Sequence, residues 1–344
     1  MLVPTPDIIA FIILIALAFD FTNGFHDSAN SISTIISTKV LSPQRAVVFA
    51  AFFNFIAAFF FGVAVASTIS RIINLSYVDP LIVPYIILAA LFGAICWNLI
   101  TWYSGLPTSS SHALIGALAG AGISAAGLAA IKMGTIDTVV LFMVISPIIG
   151  FVIAFFFMAV VIRISKGTQR MVAERHFRRL QLFSAAAYSF SHGTNDAQKT
   201  MGIITPLLFS IGYYGASVDP NNLPVPMWVI LAAHAAIALG TLSGGWRIVK
   251  TMGYRITRLR PVDGFAAETS GAATIIGASI AGIPVSTTHV ISSSIMGVGA
   301  TQGSGYVGWS VARRIVWAWI LTIPVSAIMG YVYFTGIFYI VNLF

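Results

Sequence analysis

The chain has 344 residues, of which 58% are hydrophobic and 8% charged, and its 18 Lys plus Arg against 10 Asp plus Glu leave a net charge of +8. Soluble domains carry about a quarter charged residues, so a soluble enzyme, a nucleic-acid-binding domain and a disordered chain are excluded. The basic residues lie between apolar runs, where they report membrane topology rather than nucleic-acid binding.

Apolar runs fall at about 8–38, 46–66, 84–103, 112–131, 138–162, 181–211, 227–246, 264–281, 285–300 and 309–341. At about 20 residues per span, this is a polytopic all-α membrane protein with roughly ten membrane segments. The N-terminal MLVPTPD lacks a basic region, so the first run reads as a span rather than a cleaved signal. Cys96, the single cysteine, excludes a disulfide framework and a cysteine metal site.

The first run opens with apolar residues from Ile8 to Phe19, then turns polar: Asp20, Asn23, Gly24, His26, Asp27, Ser28, Asn30 and Ser31. Twelve helical residues span about 18 Å, half the hydrocarbon thickness. An aspartate at that depth costs on the order of 2.5–3.5 kcal/mol on insertion scales, so it marks function. Gly24 is expected to let the helix open. Freed carbonyls with Asn23, Asp27 and Asn30 would then form a site for a hard cation. Satisfied interhelical hydrogen bonds are the plainer alternative.

Further on, Pro107 is followed by Thr108, Ser109, Ser110, Ser111 and His112, and then by an apolar run. Proline and hydroxyl residues at a helix start leave backbone N–H groups exposed at the positive end of the helix dipole. Such an end takes anions, phosphate above all. An ordinary capped helix is the competing reading.

The stretch 163–179 carries Arg163, Lys166, Arg170, Arg175, Arg178 and Arg179 against Glu174, and 247–260 carries Arg247, Lys250, Arg255, Arg258 and Arg260 with no acid. Both are expected on the cytoplasmic side. Loop 212–226, with Asp219 and no Lys or Arg, suits the outside. The N-terminus then faces out.

The run 181–211 holds a second polar cluster: Ser189, Ser191, His192, Gly193, Thr194, Asn195, Asp196, Gln198 and Lys199. Asn195 and Asp196 join the cation candidates, and Asp196, Gln198, Lys199 and Asp27 join the anion set. Lys199 has two readings, an anion ligand or a counter-ion of Asp196. His26 and His192 are either proton relays or structural hydrogen bonders. Glu268, about one turn into its run, is a cation-ligand candidate. A second proline–hydroxyl stretch, Pro284 with Ser286, Thr287, Thr288 and His289, extends the anion set. Asn54 and Asn98 give no decisive reading.

Both motifs recur in order. FDFTNGFHDSANS at 19–31 answers YSFSHGTNDAQKT at 188–200, and GLPTSSSH at 105–112 answers GIPVSTTH at 282–289, with offsets of 169 and 177 residues. The chain thus reads as two repeats, 1–165 and 178–344, joined by a basic loop at 166–177. The first motif helix runs inward and the second outward, so the repeats are inverted. That architecture belongs to secondary transporters with a midplane site on broken helices. The proline–hydroxyl turns are expected at the tips of re-entrant hairpins, which bring both helix ends to the aspartates.

The chain resembles the inorganic phosphate transporter (PiT) family of bacterial low-affinity phosphate permeases and eukaryotic sodium–phosphate symporters. That family carries two copies of a signature close to Gly-Ala-Asn-Asp-Val-Ala-Asn-Ala. Gly24-Phe25-His26-Asp27-Ser28-Ala29-Asn30-Ser31 and Gly193-Thr194-Asn195-Asp196-Ala197-Gln198-Lys199-Thr200 match it. The hairpin motifs and Glu268 look like further family features, while Asn54 falls where some members carry an acid. The resemblance implies an inverted-repeat fold with paired hairpins, a homodimer, and symport of phosphate with Na⁺ or H⁺. Asp27, Asn30 and Asp196 are the Na⁺ candidates. No cofactor, enzyme activity or nucleic-acid partner is expected beyond membrane lipid. The short central loop lacks the large domain of eukaryotic relatives, which implies a prokaryotic plasma membrane. Sulfate or a metal–phosphate complex is the alternative cargo.

Overall fold

The computed structural model describes residues 4–60, 62–215, 218–219 and 221–341; the first three residues of the N-terminal repeat lie outside them. Twelve α-helices lie among the described residues. They are α1 (Pro6–Ser37), α2 (Pro43–Ile56), α3 (Ala64–Ser70), α4 (Val83–Tyr103), α5 (Ser110–Ala126) and α6 (Met133–Ile164), then α7 (Arg170–Ser210), α8 (Met227–Ser243), α9 (Trp246–Tyr254), α10 (Pro261–Ile280), α11 (Thr287–Ala300) and α12 (Trp309–Val341). The order of lengths in α1–α6 repeats in α7–α12: a long motif helix, a bent pair, a hairpin and a long last helix.

Four helices among the described residues are long and apolar enough to cross a bilayer by themselves: α1, α4, α6 and α12. α7 is longer, at 41 residues, and its first turns carry Arg170, Arg175, Arg178 and Arg179. α6 and α12 expose Val144, Ile148, Phe156, Ile320, Ile328 and Tyr331. That is the face of a helix solvated by lipid rather than water.

The two motif helices lie antiparallel. The start of α1 (Ile9, Ile12) shares one apolar cluster with the end of α7 (Ile204, Leu207). The end of α1 (Ile32, Ile35) shares the other with the start of α7 (Ala185, Tyr188). Between the clusters runs a belt of buried polar residues, Asp20 to Ser31 on α1 and Ser189 to Thr200 on α7. The belt therefore sits at mid-depth.

Each hairpin is closed by a glycine. Gly105 (φ +65°) and Gly282 (φ +68°) end α4 and α10 in the left-handed region. Leu106 N–H bonds Thr101 O at 2.9 Å and Ile283 N–H bonds Ala278 O at 2.9 Å. These are the six-to-one bonds of Schellman ends. The chain then turns back into α5 and α11. The open ends are tied by Lys132 N–H to Ile72 O (3.0 Å) and Gly308 N–H to Ile256 O (2.7 Å). Each hairpin thus leaves on the side it entered, with its tip at the polar belt.

Three expectations need correction. α1 and α7 run unbroken through Gly24 and Gly193. A Cβ at Gly24 would strike the Ile237 backbone, and one at Gly193 the backbone of Asn54. These glycines serve close helix crossings, not openings. The breaks lie instead within the next pairs, α2–α3 and α8–α9, the latter bent by 73°. Residues 247–254 of the expected 247–260 loop are helical, and so are residues 170–177 of the basic linker.

Candidate functional site

Asp27 is the centre of the belt. His26 Nδ1 lies 2.6 Å from its Oδ1. Ser110 Oγ, from the first hairpin tip, lies 2.9 Å from Oδ2 and 2.5 Å from Asn23 Oδ1, and its single hydrogen is shared between these two acceptors. Thr288, from the other tip, donates to Oδ1 at 3.4 Å. Thr108 reaches the same knot through Thr101 (2.9 Å), which contacts His26 Nε2 at 3.1 Å.

Asp196 is the matching centre in the second half. Lys199 Nζ lies 2.6 Å from Oδ1 and His192 Nε2 lies 3.3 Å from Oδ2. Asn195 Nδ2 donates to Oδ1 at 2.9 Å and to Val285 O at 3.0 Å. Thr287 Oγ1 donates to Oδ2 at 3.4 Å. Asn30 Nδ2 spans the halves, donating to Thr288 Oγ1 at 2.9 Å and to Thr287 Oγ1 at 3.4 Å.

One ligand atom each of Asp27, His192 and Asp196 lie within 4.8 Å of one another, all buried. Two carboxylates this close in a low dielectric repel strongly. A bound cation relieves that repulsion and finds hard oxygen ligands. Asp27 and Asp196 are 2% and 0% exposed, so the site is sealed from both sides in this conformation.

The tips divide their labour. Ser109 and Ser286 cap α5 and α11, accepting from His112 N–H at 3.3 Å and His289 N–H at 3.1 Å. Ser110, Thr287 and Thr288 point to the aspartates, and Ser111 Oγ has no partner. Pro107 and Pro284 sit in the turns, each three residues before the first helical residue, rather than at the helix start.

Two sequence candidates lie elsewhere. Gln198 Oε1 accepts from Val65 N–H (2.8 Å) and Ala66 N–H (3.1 Å), so its amide caps α3. Glu268 takes bonds from Gln181 Nε2 at 3.0 Å and Ser184 Oγ at 2.5 Å. Ser184 and Asp196 are twelve residues apart on α7, roughly 18 Å, so Glu268 belongs to a separate buried cluster.

Some contributors carried no functional reading in the sequence. Asn54, from α2, bonds His192 Nδ1 at 3.2 Å and Thr241 at 2.9 Å. Thr101 is an ordinary threonine in an apolar run and gives no local signal. His192, read in the sequence as a proton relay or a structural hydrogen bonder, is brought by the structure beside Asp196.

Inverted helix sets around a sealed, charged, mid-depth site define the class: a multi-pass membrane transporter, not an enzyme. The profile of the phosphate transporter family matches residues 23–173 and 163–330. The chain is 51% identical over 320 residues to a probable low-affinity inorganic phosphate transporter of Rhizobium meliloti (strain 1021), with 93% of each chain covered. It is 48% identical over 322 residues to one of Bacillus subtilis (strain 168), covering 93% of this chain and 94% of that one. A solved structure described as the sodium-dependent phosphate transporter superposes with a TM-score of 0.86 at 25% identity, covering 96% of this chain and 99% of that one. The chain belongs to the phosphate transporter family.

Proposed function

We propose that this protein imports inorganic phosphate across a prokaryotic plasma membrane by symport with Na⁺ or H⁺, through alternating access. The observation that carries this reading is the spending of hydroxyl hydrogens. Ser110, Thr287 and Thr288 donate to Asp27 and Asp196, leaving the tips without those donors for an anion. A cation on the carboxylates releases them. The freed hydroxyls, the N–H groups of the α5 and α11 starts and Thr108 then face an incoming phosphate, with Ser109 and Ser286 holding the two helix ends in place. Neutralised carboxylates also stop repelling it. Cation and anion thus bind together or not at all, which is coupling. Phosphate, unlike sulfate, carries a proton for a carboxylate to accept.

Asp27, Asp196 and Asn30 are the proposed primary cation set, with Asn23 and Asn195 supporting the carboxylates. Glu268 is proposed as a second cation station on the cytoplasmic side. The arginine-rich stretches at 163–179 and 247–260 support a cytoplasmic placement and an N-terminus outside. We also propose a homodimer, read out by mass in detergent.

The test is phosphate uptake into proteoliposomes under an imposed sodium or proton gradient, with excess sulfate as competitor. Uptake driven by one gradient and indifferent to sulfate is expected. Full competition by sulfate would reassign the cargo. A second reading, metal–phosphate import, is favoured by His192 beside the two carboxylates, because imidazole is a divalent-metal ligand. In that case uptake would require the metal and vanish with a chelator.

A further inference from the structure

Asp20 lies outside the site just described, about two turns before Asp27 on α1. It is fully buried, and neither of its oxygens has a hydrogen-bond partner. A buried acid with so little solvation is too costly to be incidental. Its polar neighbours are Thr200 and Asn23, and the charges that act on it are those of Asp196 and Lys199 on α7.

The unspent atoms around Asp20 show what it is built to receive. Asn23 Nδ2, Thr200 Oγ1 and Lys199 Nζ all lack hydrogen-bond partners. Asn23 presents its amide hydrogens because its Oδ1 is taken by Ser110. Lys199 touches Asp196 Oδ1 at 2.6 Å, yet the contact falls off the hydrogen-bonding axis. A metal-ion site would gather oxygens, whereas the unpartnered groups near Asp20 are N–H and O–H donors. With Asp20 they have the composition of an ammonium–carboxylate pair with two supporting bonds.

We propose that Asp20 is the alternate partner of Lys199. When the coupling cation occupies Asp27 and Asp196, it displaces the lysine ammonium, which moves to Asp20. Lys199 is then a tethered cation that holds Asp196 in the empty carrier, and Asp20 is the positioning residue that receives it in the loaded one. No covalent bond is made or broken; Asp20 takes the place of Asp196 as the partner of the ammonium. The exchange spares the carrier the cost of stripping a buried ammonium of its counter-ion. It rests on the cation-coupled reading above.

The test uses the full-length protein in proteoliposomes and in detergent, with Asp20→Asn, Lys199→Gln and the double variant. The readout is the sodium or proton concentration giving half-maximal phosphate uptake. With Asp20 neutral, Lys199 competes harder for Asp196, so Asp20→Asn is expected to raise that concentration about tenfold or more. Adding Lys199→Gln to Asp20→Asn is expected to restore it to the value of Lys199→Gln alone, which a merely structural role for Asp20 would not do. An unchanged cation requirement in folded Asp20→Asn protein, or a defect that Lys199→Gln leaves in place, would overturn the exchange.

Absence of gradient-driven uptake by the unaltered protein would instead count against the symport reading. The exchange then stands or falls on melting temperature. Asp196→Asn alone leaves Lys199 the Asp20 carboxylate, whereas Asp20→Asn with Asp196→Asn leaves it none. The double loss is expected to exceed the sum of the single ones, and simple additivity contradicts the proposal.

Discussion

The side-chain amide of Asn30 donates to Thr288 Oγ1 at 2.9 Å, joining residues 258 apart in the chain. It ties the motif helix of one half to the hairpin tip of the other. Thr288 passes the connection on to Asp27. An interhelical hydrogen bond inside a membrane protein contributes about 0.6 kcal/mol on average and up to about 1.7. Asn30→Ala and Thr288→Val are therefore expected to cost little stability separately and less than their sum together. Both should weaken phosphate binding. A double-mutant cycle on melting temperature and on phosphate KM measures this, and strict additivity would refute the link.

Serines one position apart have different tasks. Ser109 caps α5, while Ser110 bonds Asp27. Ser109→Ala is expected to lose about 1 kcal/mol of stability, as cap removal does, and Ser109→Gly to recover most of it. Ser110→Ala should instead raise the phosphate KM about tenfold or more with little change in melting temperature, in keeping with a lost bond to a charged group. Parallel melting and uptake curves separate the two roles.

Close helix crossings at the motif glycines predict steric intolerance. Gly193→Ala drives a methyl into the Asn54 backbone, and Gly24→Ala drives one into that of Ile237. Each is expected to cost about 1–3 kcal/mol, the usual range for overpacking. Gly134→Ala meets nothing within 4 Å and is the control. Equal melting temperatures for all three would mean that the helices do not approach as closely as described.

Much of this site was legible because inserting charge into a bilayer is costly. Asp27 and Asp196 stood out for that reason alone, and their repetition pointed to the inverted halves. Hairpin tips were legible from Gly-x-Pro followed by hydroxyls. Other features depended on tertiary contacts that no local pattern encodes. Gly24 looked like a hinge because glycine is permissive, yet it is needed for the Ile237 backbone, which lies over 200 residues away. Gln198 matched the polar motif, but its direction on α7 turns it to the start of α3. Glu268 shared the motif's chemistry, but only packing of α10 against α7 shows that it meets Gln181 and Ser184 rather than Asp27.

Glu268 offers a separable prediction. Its cluster with Gln181 and Ser184 lies well away from the hairpin tips. Glu268→Gln is expected to raise the cation concentration needed for uptake while leaving the phosphate KM at saturating cation within about twofold, the pattern of a remote cation station. A change confined to phosphate KM would place Glu268 with the anion instead.

The central claim is that cation binding at Asp27 and Asp196 releases the tip hydroxyls for phosphate. Its most direct test is equilibrium binding of radiolabelled phosphate to purified Asp27→Asn and unaltered protein, each titrated with sodium and, separately, with acid. In the unaltered protein, phosphate affinity should climb with one of the two cations, and Asp27→Asn should fold normally yet lose that dependence. Cation-dependent phosphate binding that survives unchanged in folded Asp27→Asn protein would contradict the account.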